Sequence, residues 1–412
     1  VDQGVEALHA VEVPEAWKDA VDEKKEEREL PEFIREIVKP MLEQKEDDIP
    51  VSAFVGREDG AFESGTTQYE KRGIALNVPE WQLENCIQCN QCSYVCPHAV
   101  IRPFLVTEEE KANAPEGFET KKAIGKGMEG YEFRIQVSPL DCTGCGNCAD
   151  VCPAPEKALL MKPFEDEVEK EKDNWYYAHE EVGYKEDVMD PMTLKGSQFK
   201  QPLLEFSGAC AGCGETPYAK LVTQLFGDRM YIANATGCSS IWGASAPAMS
   251  YTKNSCGQGP AWGNSLFEDA AEYGYGMKLA ADANKSLLET YMNNFLELGL
   301  DTPFNEAFKA WLEGKETVNT SKEATAKIMK LKEETVDSEE GKDLLDKIFQ
   351  LKDYMIKKSI WIFGGDGWSY DIGFGGVDHV LASGEDINIL VFDTEVYSNT
   401  GGQSSKATPL SA

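Results

Sequence analysis

Residues 86–97 read CIQCNQCSYVCP, and residues 142–153 read CTGCGNCADVCP. Both segments place cysteines in the pattern Cys-x2-Cys-x2-Cys-x3-Cys-Pro, so the chain contains an internal duplication. In this pattern three closely spaced thiolates surround one iron–sulfur cubane, and the fourth cysteine of each segment reaches across to the other cubane. The spacing therefore predicts a bacterial-type ferredoxin domain of the α+β class that conducts electrons.

Eight cysteines are thus assigned to two [4Fe–4S] clusters. The ligands of the first cluster are Cys86, Cys89, Cys92 and Cys152, and those of the second are Cys142, Cys145, Cys148 and Cys96. Two zinc sites are the alternative, but zinc sites rarely use four such closely spaced cysteines, followed by proline, in two copies. Because unrelated enzymes also contain this module, it does not define a function by itself.

The charge balance and the hydrophobic pattern narrow the class of protein. The net charge is -32, from 72 acidic and 40 basic residues, and no basic cluster with interleaved aromatics indicates nucleic-acid binding. No apolar run approaches the roughly 18–20 residues of a membrane span, and the amino end lacks the layout of a signal peptide. These features predict a cytoplasmic protein. The start at Val1 and the end at Ala412, directly after a Gly-rich turn, predict a fragment.

Three regions differ in composition. Residues 1–65 are charged and helix-prone over Trp17–Glu29 and Leu30–Lys45, which predicts a helical connector from a preceding domain. Residues 66–185 hold the ferredoxin-like domain. Residues 186–412 contain short apolar runs that predict buried parallel strands of an α/β domain, incomplete at its C-terminus. These runs are Met230–Ala233, Ile360–Phe363 and Ile387–Phe392, with a helical insertion over Lys285–Lys358.

A second group of cysteines follows the ferredoxin-like domain. Cys210, Cys213 and Cys238 lie beside glycines, which let the backbone approach inorganic sulfide, so they are candidates for a third [4Fe–4S] cluster. The fourth ligand is either Cys256 or a residue beyond the end of the chain. The alternative is that these are unliganded core cysteines.

Gly365-Asp366-Gly367 follows one apolar run, and Thr394 ends the next. An aspartate and a second oxygen at the ends of neighbouring strands can hold an octahedral Mg²⁺, which in turn binds a diphosphate. The two positions therefore predict a site for Mg²⁺ and thiamine diphosphate. The generic thiamine motif has asparagine at the position of Thr394.

Two segments resemble the pyruvate:ferredoxin oxidoreductases, specifically the carboxy-terminal part of the single-chain form. Residues 393–405 (DTEVYSNTGGQSS) are similar to that family's version of the magnesium segment, and residues 210–218 (CAGCGETPY) are similar to its signature for the cluster nearest the thiamine. The resemblance runs over nearly the whole chain. It implies an α/β thiamine-diphosphate-binding domain after the ferredoxin domain.

The resemblance also implies roles for single residues. Asp366 and Thr394 would bind Mg²⁺ through their side chains and Val396 through its carbonyl oxygen. Cys210, Cys213 and Cys238 would bind the proximal cluster, with the fourth ligand beyond Ala412 and Cys256 a bystander. The implied thiamine-diphosphate contacts are Glu215, Cys238, Gly365, Asp366, Gly367, Trp368, Thr394, Glu395, Val396, Tyr397, Ser398 and Asn399.

The implied activity is the oxidation of pyruvate with coenzyme A to acetyl-CoA and CO2. Electrons would pass through three clusters to ferredoxin or flavodoxin, in a homodimer from an anaerobe. The activating glutamate and the substrate-binding residues would lie outside this chain, apart from Asn399 near the substrate, so the fragment alone would be inactive. The alternatives are a related enzyme acting on another 2-oxoacid and a non-enzymatic polyferredoxin carrier.

Overall fold

The computed structural model describes residues 10–20, 29–245 and 248–411. The chain divides into two compact units, Val1–Ala53 and Phe54–Ala412. Within the described ranges, no helix combines the length and the hydropathy that a membrane crossing requires.

The first unit contains short helical segments. A π-helical turn at Ile34–Val38 continues into the helix Lys39–Leu42, and Ile34, Ile37 and Val38 are buried. Glu15–Asp19 forms a short 3-10 helix. Of the helix predicted over Trp17–Glu29, residues 21–28 lie outside the described part of the chain.

The second unit begins with the part that carries the cysteine duplication. Its strands are β1 (Asn77–Trp81), β2 (Ile101–Val106), β3 (Lys121–Lys122), β4 (Glu132–Val137) and β5 (Leu159–Pro163). β1 pairs antiparallel with β5, and β2, β4 and β3 form a second antiparallel sheet in that order. Each cysteine segment contributes one short helix, Gln91–Val95 or Asn147–Asp150. This mixture of helices and antiparallel strands agrees with the predicted α+β domain.

Helices and turns complete this part. The helix Glu108–Ala112 begins at a capping box formed by Thr107 and Glu110, which satisfies two backbone N–H groups at its start. The other helices here are Phe164–Tyr177, Ala178–Val182 and Leu194–Ser197, with 3-10 turns at Thr66–Tyr69 and Pro139–Asp141.

A parallel four-stranded sheet forms the centre of the remaining part. Its strands are β6 (Met230–Ala235), β7 (Ala261–Ser265), β8 (Ser359–Gly365) and β9 (Asn388–Phe392), in the order β7-β6-β8-β9. All three pairings are parallel, which confirms the buried parallel strands predicted from the apolar runs. β7 was not predicted, because its sequence AWGNS has neither an apolar run nor alternation.

Helices surround this sheet. Thr216–Phe226 precedes β6, Gly367–Asp371 and Phe374–Ser383 follow β8, and a helical block separates β7 from β8. The block comprises Ala270–Glu297, Phe304–Gly314, Val318–Lys330 and Glu339–Gln350. It starts ahead of the predicted Lys285, and Gly274 lets its first helix pack closely on the sheet, since an added Cβ there would lie 2.4 Å from Ile362.

A buried ion pair joins the two parts of the second unit. Arg102, on β2, donates to the carboxylate of Glu205, and both side chains are 2% exposed. The same guanidinium donates to the Tyr184 hydroxyl. Because a buried charge is costly without a partner, this pair fixes the Glu205 segment against the ferredoxin-like part.

Candidate functional site

Two cavities are each lined by four cysteines. Cys86, Cys89, Cys92 and Cys152 line one cavity. Cys96, Cys142, Cys145 and Cys148 line the other. In both cases three cysteines come from one duplicated segment and the fourth from the other segment, which is the exchange predicted from the spacing.

The two segments share an unusual backbone geometry. Gln88 and Asn90 have φ values of 59° and 61°, and the equivalent Gly144 and Gly146 have 70° and 81°. These left-handed residues alternate with the cysteines and turn the loop around a central space. The duplication is thus visible in the backbone, although glycine occupies these positions only in the second segment.

The buried thiols favour the neutral form. Burial raises the pKa of Cys142 to about 12, and burial likewise raises the pKa of Cys92 and of Cys148. Neighbouring thiols add to the effect: Cys86, Cys89 and Cys152 act on Cys92. Thiolates in these cavities therefore require a positively charged group between them, which the iron of a cluster supplies.

The cysteines of each cavity can be compared with the ligands of a zinc site. In a zinc site four sulfur atoms converge to about 2.3 Å from one ion. Among the residues that the structure describes, no three histidine, cysteine, aspartate or glutamate side chains converge in the way that a single ion requires. Four cysteines line each cavity, which is the ligand set that a cubane takes.

The third group of cysteines lies beside the second cavity. Burial, together with the charges of Glu215, Cys213 and Cys210, raises the pKa of Cys238, so these side chains are neighbours. A Cβ built on Gly212 would lie 3.7 Å from the Cβ of Cys145. The loop that holds Cys210 and Cys213 therefore packs directly on the loop around the second cavity. Cys256 lies in an exposed turn, where Asn254 accepts a hydrogen bond from its backbone N–H.

The predicted magnesium ligands converge at the carboxyl ends of β8 and β9. Asp366 is buried, and its Oδ1 accepts hydrogen bonds from the Thr394 backbone N–H at 3.0 Å and from the Thr394 Oγ1 at 3.4 Å. Thr394 Oγ1 lies 2.9 Å from the Val396 carbonyl oxygen. Three oxygen donors thus face one another, which is the donor chemistry that Mg²⁺ prefers.

Residues from the cysteine segment face the same site. Burial raises the pKa of Glu215. The hydrogen bond that Trp242 Nε1 donates at 2.8 Å lowers this pKa, and the charge of Asp366 raises it. Cys238 Sγ lies 3.1 Å from Ser398 Oγ. The CAGCGE segment and the GDG segment, far apart in sequence, are therefore brought together around one site.

The other residues predicted to contact thiamine diphosphate differ in burial and in backbone conformation. The Trp368 side chain is fully buried in the apolar core. Gly367 packs against Phe267 and Tyr397, so a Cβ would not fit there. A Cβ would fit at Gly365. Glu395 has a left-handed φ of 63°, and Asn399 is exposed.

Two side chains that hydrogen-bond to the predicted site residues or to their segments were not predicted. Ser405 Oγ donates to Asp366 Oδ2 at 3.2 Å and helps to orient the carboxylate. Lys220 is 1% exposed and donates three hydrogen bonds, to the carbonyl oxygens of Ser93, Tyr94 and Cys96. Lysine is rarely buried in proteins. Its position among the buried residues of the helix Thr216–Phe226 is the feature that could have pointed to Lys220.

Two family models match the chain. Residues 85–155 match a family described as a 4Fe-4S dicluster domain, which confirms the two-cluster domain predicted from the cysteine spacing. Residues 21–75 match a family described as a domain of unknown function. The assignment of each cysteine to a cluster stays a prediction.

The chain is also similar to curated proteins along its length. Pyruvate:ferredoxin oxidoreductase of Moorella thermoacetica is 59% identical over 415 residues, covering 100% of this chain and 35% of that protein. Pyruvate-flavodoxin oxidoreductase of Enterobacter agglomerans is 55% identical, with the same two coverages. Mitochondrial pyruvate dehydrogenase (NADP+) of Euglena gracilis is 48% identical, covering 98% of this chain and 22% of that protein. This chain spans about a third or less of the length of these relatives.

Proposed function

This chain is related over its full length to part of the pyruvate:ferredoxin and pyruvate-flavodoxin oxidoreductases, and on that premise we propose that it forms the electron-conducting part of such an enzyme. The reaction converts pyruvate and coenzyme A to acetyl-CoA and CO2. It releases two electrons and one proton, and the electrons pass to ferredoxin or flavodoxin.

The observation that carries the proposal is the convergence of Asp366, Thr394 and Val396 beside Cys238 and Ser398. The first three residues would hold Mg²⁺ through a carboxylate, a hydroxyl and a carbonyl oxygen. Thiamine diphosphate, when bound, supplies the chemistry that stabilises a carbanion at the former carbonyl carbon. The proposed contacts of the cofactor are Glu215, Cys238, Gly365, Asp366, Gly367, Trp368 and residues 394–399.

Burial and hydrogen bonding prepare these residues for binding. Glu215 lies beside the Asp366 carboxylate, and burial raises its pKa, so its carboxyl group holds a proton more readily than an exposed glutamate. Ser405 and the Thr394 backbone N–H fix both oxygens of Asp366 before a cation arrives. This arrangement reduces the ordering that binding requires.

The packing of the cysteine loops supports an order of electron transfer. Cys210, Cys213 and Cys238, the proposed ligands of a third [4Fe–4S] cluster, adjoin the cofactor site. Gly212 packs on Cys145, and His98 Nε2 lies 2.9 Å from the carbonyl oxygen of Ala209. Electrons would therefore pass from this group to the Cys142 cluster and then to the Cys86 cluster.

Two alternatives compete with this proposal. A polyferredoxin carrier has no use for the oxygen donors around Asp366. An enzyme for another 2-oxoacid, such as 2-oxoglutarate or an aryl pyruvate, shares the same site, but the relatives named above are all named for pyruvate. The electron acceptors in the names of these relatives are ferredoxin, flavodoxin and NADP+. We propose the first two for this chain, because its clusters release electrons singly.

The test is Asp366→Asn in the holoenzyme, with Asp378→Asn as the matched control on the exposed side of the helix Phe374–Ser383. Loss of a cation ligand should weaken binding of thiamine diphosphate and Mg²⁺ by about 100-fold, measured by calorimetry, while the iron content is unchanged. The control should bind like the wild type.

Three outcomes would overturn parts of the proposal. Binding in Asp366→Asn within about twofold of the wild type would remove the cation site. No thiamine binding by the wild type would favour the polyferredoxin carrier. A higher kcat/KM for 2-oxoglutarate or an aryl pyruvate than for pyruvate would reassign the substrate.

A further inference from the structure

A short turn lies between the second cysteine segment and the segment that leads to the third group of cysteines. It comprises residues 70–73, and we call it the Lys71 turn. On one side the Gly73 backbone N–H donates to the Leu140 carbonyl oxygen at 2.8 Å, close to the start of the second cysteine segment. On the other side a Cβ built on Gly208 would lie 3.9 Å from an Arg72 guanidinium nitrogen. The turn therefore contacts both chain segments.

Lys71 has a backbone conformation that lysine rarely takes. Its φ is 44°, in the left-handed region, which costs a residue with a Cβ about 1–2 kcal/mol. Glycine would adopt the same conformation without this cost. Backbone strain of this kind is concentrated at functional sites, and Lys71 lies in the region of unknown function noted above, residues 21–75. The side chain of Lys71 is therefore the feature that needs an explanation.

The Lys71 side chain reaches a buried carboxylate beside a predicted cluster ligand. Lys71 Nζ lies 2.6 Å from Asp141 Oδ2, and the Asp141 side chain is only 3% exposed. Ser138 Oγ donates to the same oxygen at 2.6 Å. The ammonium also lies 4.8 Å from the centre of the Phe206 ring. Asp141 immediately precedes Cys142, so Lys71 neutralises a carboxylate directly beside this ligand.

The charges around Asp141 give the ion pair a consequence for a cluster. A buried carboxylate beside a cluster ligand opposes the gain of an electron, because like charges repel strongly where the dielectric constant is low. In the same turn Arg72 pairs with Glu70, so Lys71 is the cation of this turn that pairs with Asp141. The pair of Lys71 and Asp141 carries no net charge, and the repulsion is offset.

We propose that Lys71 raises the reduction potential of the Cys142 cluster by neutralising Asp141. Lys71 is a positioning residue, because it acts on the cluster through the carboxylate. The inference rests on the proposed function for the clusters and for the direction of electron flow. One electron leaves the cluster of the third cysteine group, which is oxidised, and reduces the Cys142 cluster. Without the ammonium this transfer would become less favourable.

The test measures the reduction potentials of the holoenzyme by EPR-monitored redox titration. A pH of about 8.5 lies far above the ordinary pKa of an aspartate and keeps the carboxylate ionised. Lys71→Met removes the ammonium, Asp141→Asn removes the carboxylate, and the double variant removes both. Lys71→Arg keeps the positive charge. The matched control is Lys278→Met, which removes an ammonium paired with Asp282 and Glu385 rather than with a residue beside a cysteine.

We expect opposite effects from the two single variants. In Lys71→Met the equilibrium constant for one-electron reduction of the Cys142 cluster should fall about tenfold, which is a shift of about 59 mV. Asp141→Asn should raise this constant, and the double variant should return it to within about threefold of the wild type. Lys71→Arg and Lys278→Met should leave it at the wild-type value. The signal of the Cys142 cluster is the one that Cys96→Ala alters.

Two results would overturn the role of Lys71. One is an unchanged potential of the Cys142 cluster in Lys71→Met and Asp141→Asn. The other is a fall in both single variants, which would trace the shift to a loosened loop rather than to charge.

The remaining variants decide the matter if Lys71→Met assembles too little cluster to titrate. A rise in Asp141→Asn that the double variant reverses would then support the role, and no rise would overturn it. Absence of [4Fe–4S] signals from the wild type would contradict the proposed function instead. A failure that concerns Lys71 alone leaves the wild-type signals in place, so the two failures are distinguishable.

Discussion

The amino group of Lys220 lies 3.1 Å from the carbonyl oxygen of Cys96, to which it donates a hydrogen bond. Lys220 belongs to the helix after the third cysteine group, whereas Cys96 is a predicted ligand of the second cluster. Its other two bonds go to Ser93 and Tyr94, so all three donors of the ammonium are used. One buried charge therefore fastens the segment that connects both clusters.

Lys220→Met should loosen this segment and lower both reduction potentials. The variant leaves three carbonyl oxygens without a donor, at a cost of about 2 kcal/mol in the free energy of unfolding after relief of the buried charge. Removal of a positive charge makes each cluster harder to reduce. EPR-monitored redox titration measures the potentials, and urea unfolding measures the stability.

A purely structural role for Lys220 predicts a different pattern. In that case stability falls while both potentials stay at their wild-type values. Lys358→Met is the matched control. Burial lowers the pKa of Lys220 to about 8 and also lowers the pKa of Lys358, but Lys358 lies near Asp353 and Asp228 rather than near the cysteines.

Exchange of cysteines between the segments makes a sharp prediction for iron content. Cys152→Ala should impair the cluster otherwise held by Cys86, Cys89 and Cys92, although Cys152 belongs to the second segment. Cys96→Ala should impair the other cluster. EPR of the two variants, compared with Cys256→Ala as a control outside both cavities, identifies the affected cluster. Loss of the opposite cluster in each case would contradict the exchange.

Arg102 and Glu205 should be strongly coupled energetically. Arg102→Met leaves the buried Glu205 carboxylate without its partner and should lower the free energy of unfolding by about 3–5 kcal/mol. Arg102→Met with Glu205→Leu should cost less than Arg102→Met alone, since neither charge remains buried. A double-mutant cycle of urea unfolding measures the coupling, and additive effects would contradict it.

Acid should destabilise the protein through His179. Burial lowers the pKa of His179 to about 4 from an ordinary value of 6.5, although the nearby charge of Glu205 raises it. The imidazole ring stacks on Trp175. The unfolded imidazole gains a proton as the pH falls through 6.5 while the folded one does not, so stability is lost downward from there to about pH 4.

The contribution of His179 to the free energy of unfolding should fall by about 1.4 kcal/mol between about pH 7.5 and about pH 5.5. His179→Phe keeps the stack on Trp175 and removes the titration. The difference in free energy of unfolding between wild type and variant, measured by urea at the two pH values, isolates this effect from other groups. A difference that does not change with pH would contradict it.

The local sequence pattern was sufficient to predict structure where a segment determines its own conformation. The spacing of the eight cysteines predicts the four side chains that line each cavity, and the apolar runs predict β6, β8 and β9. The same kind of information also predicted that Asp366 and Thr394 would meet, because parallel strands end at one edge of a sheet.

Long-range contacts were not predictable in this way. Lys220 and Ser405 act on groups more than thirty residues away, and neither stands in a recognisable motif. Trp368 stays a predicted cofactor contact, and the packing of its indole in the core beside Gly364 depends on the closeness of β8 to the following turn. Such outcomes depend on tertiary packing rather than on local preference.

The predicted exchange of the fourth cysteine between the clusters would also affect how the protein is made. Cys152 follows Cys92 by 60 residues. At about 5–20 residues per second, a ribosome delivers this last thiol roughly 3–12 s after the first three. Until then an iron–sulfur group placed on the nascent segment has one open corner, exposed to oxygen and to competing metals. Cluster insertion is therefore safest once the whole duplication has left the exit tunnel.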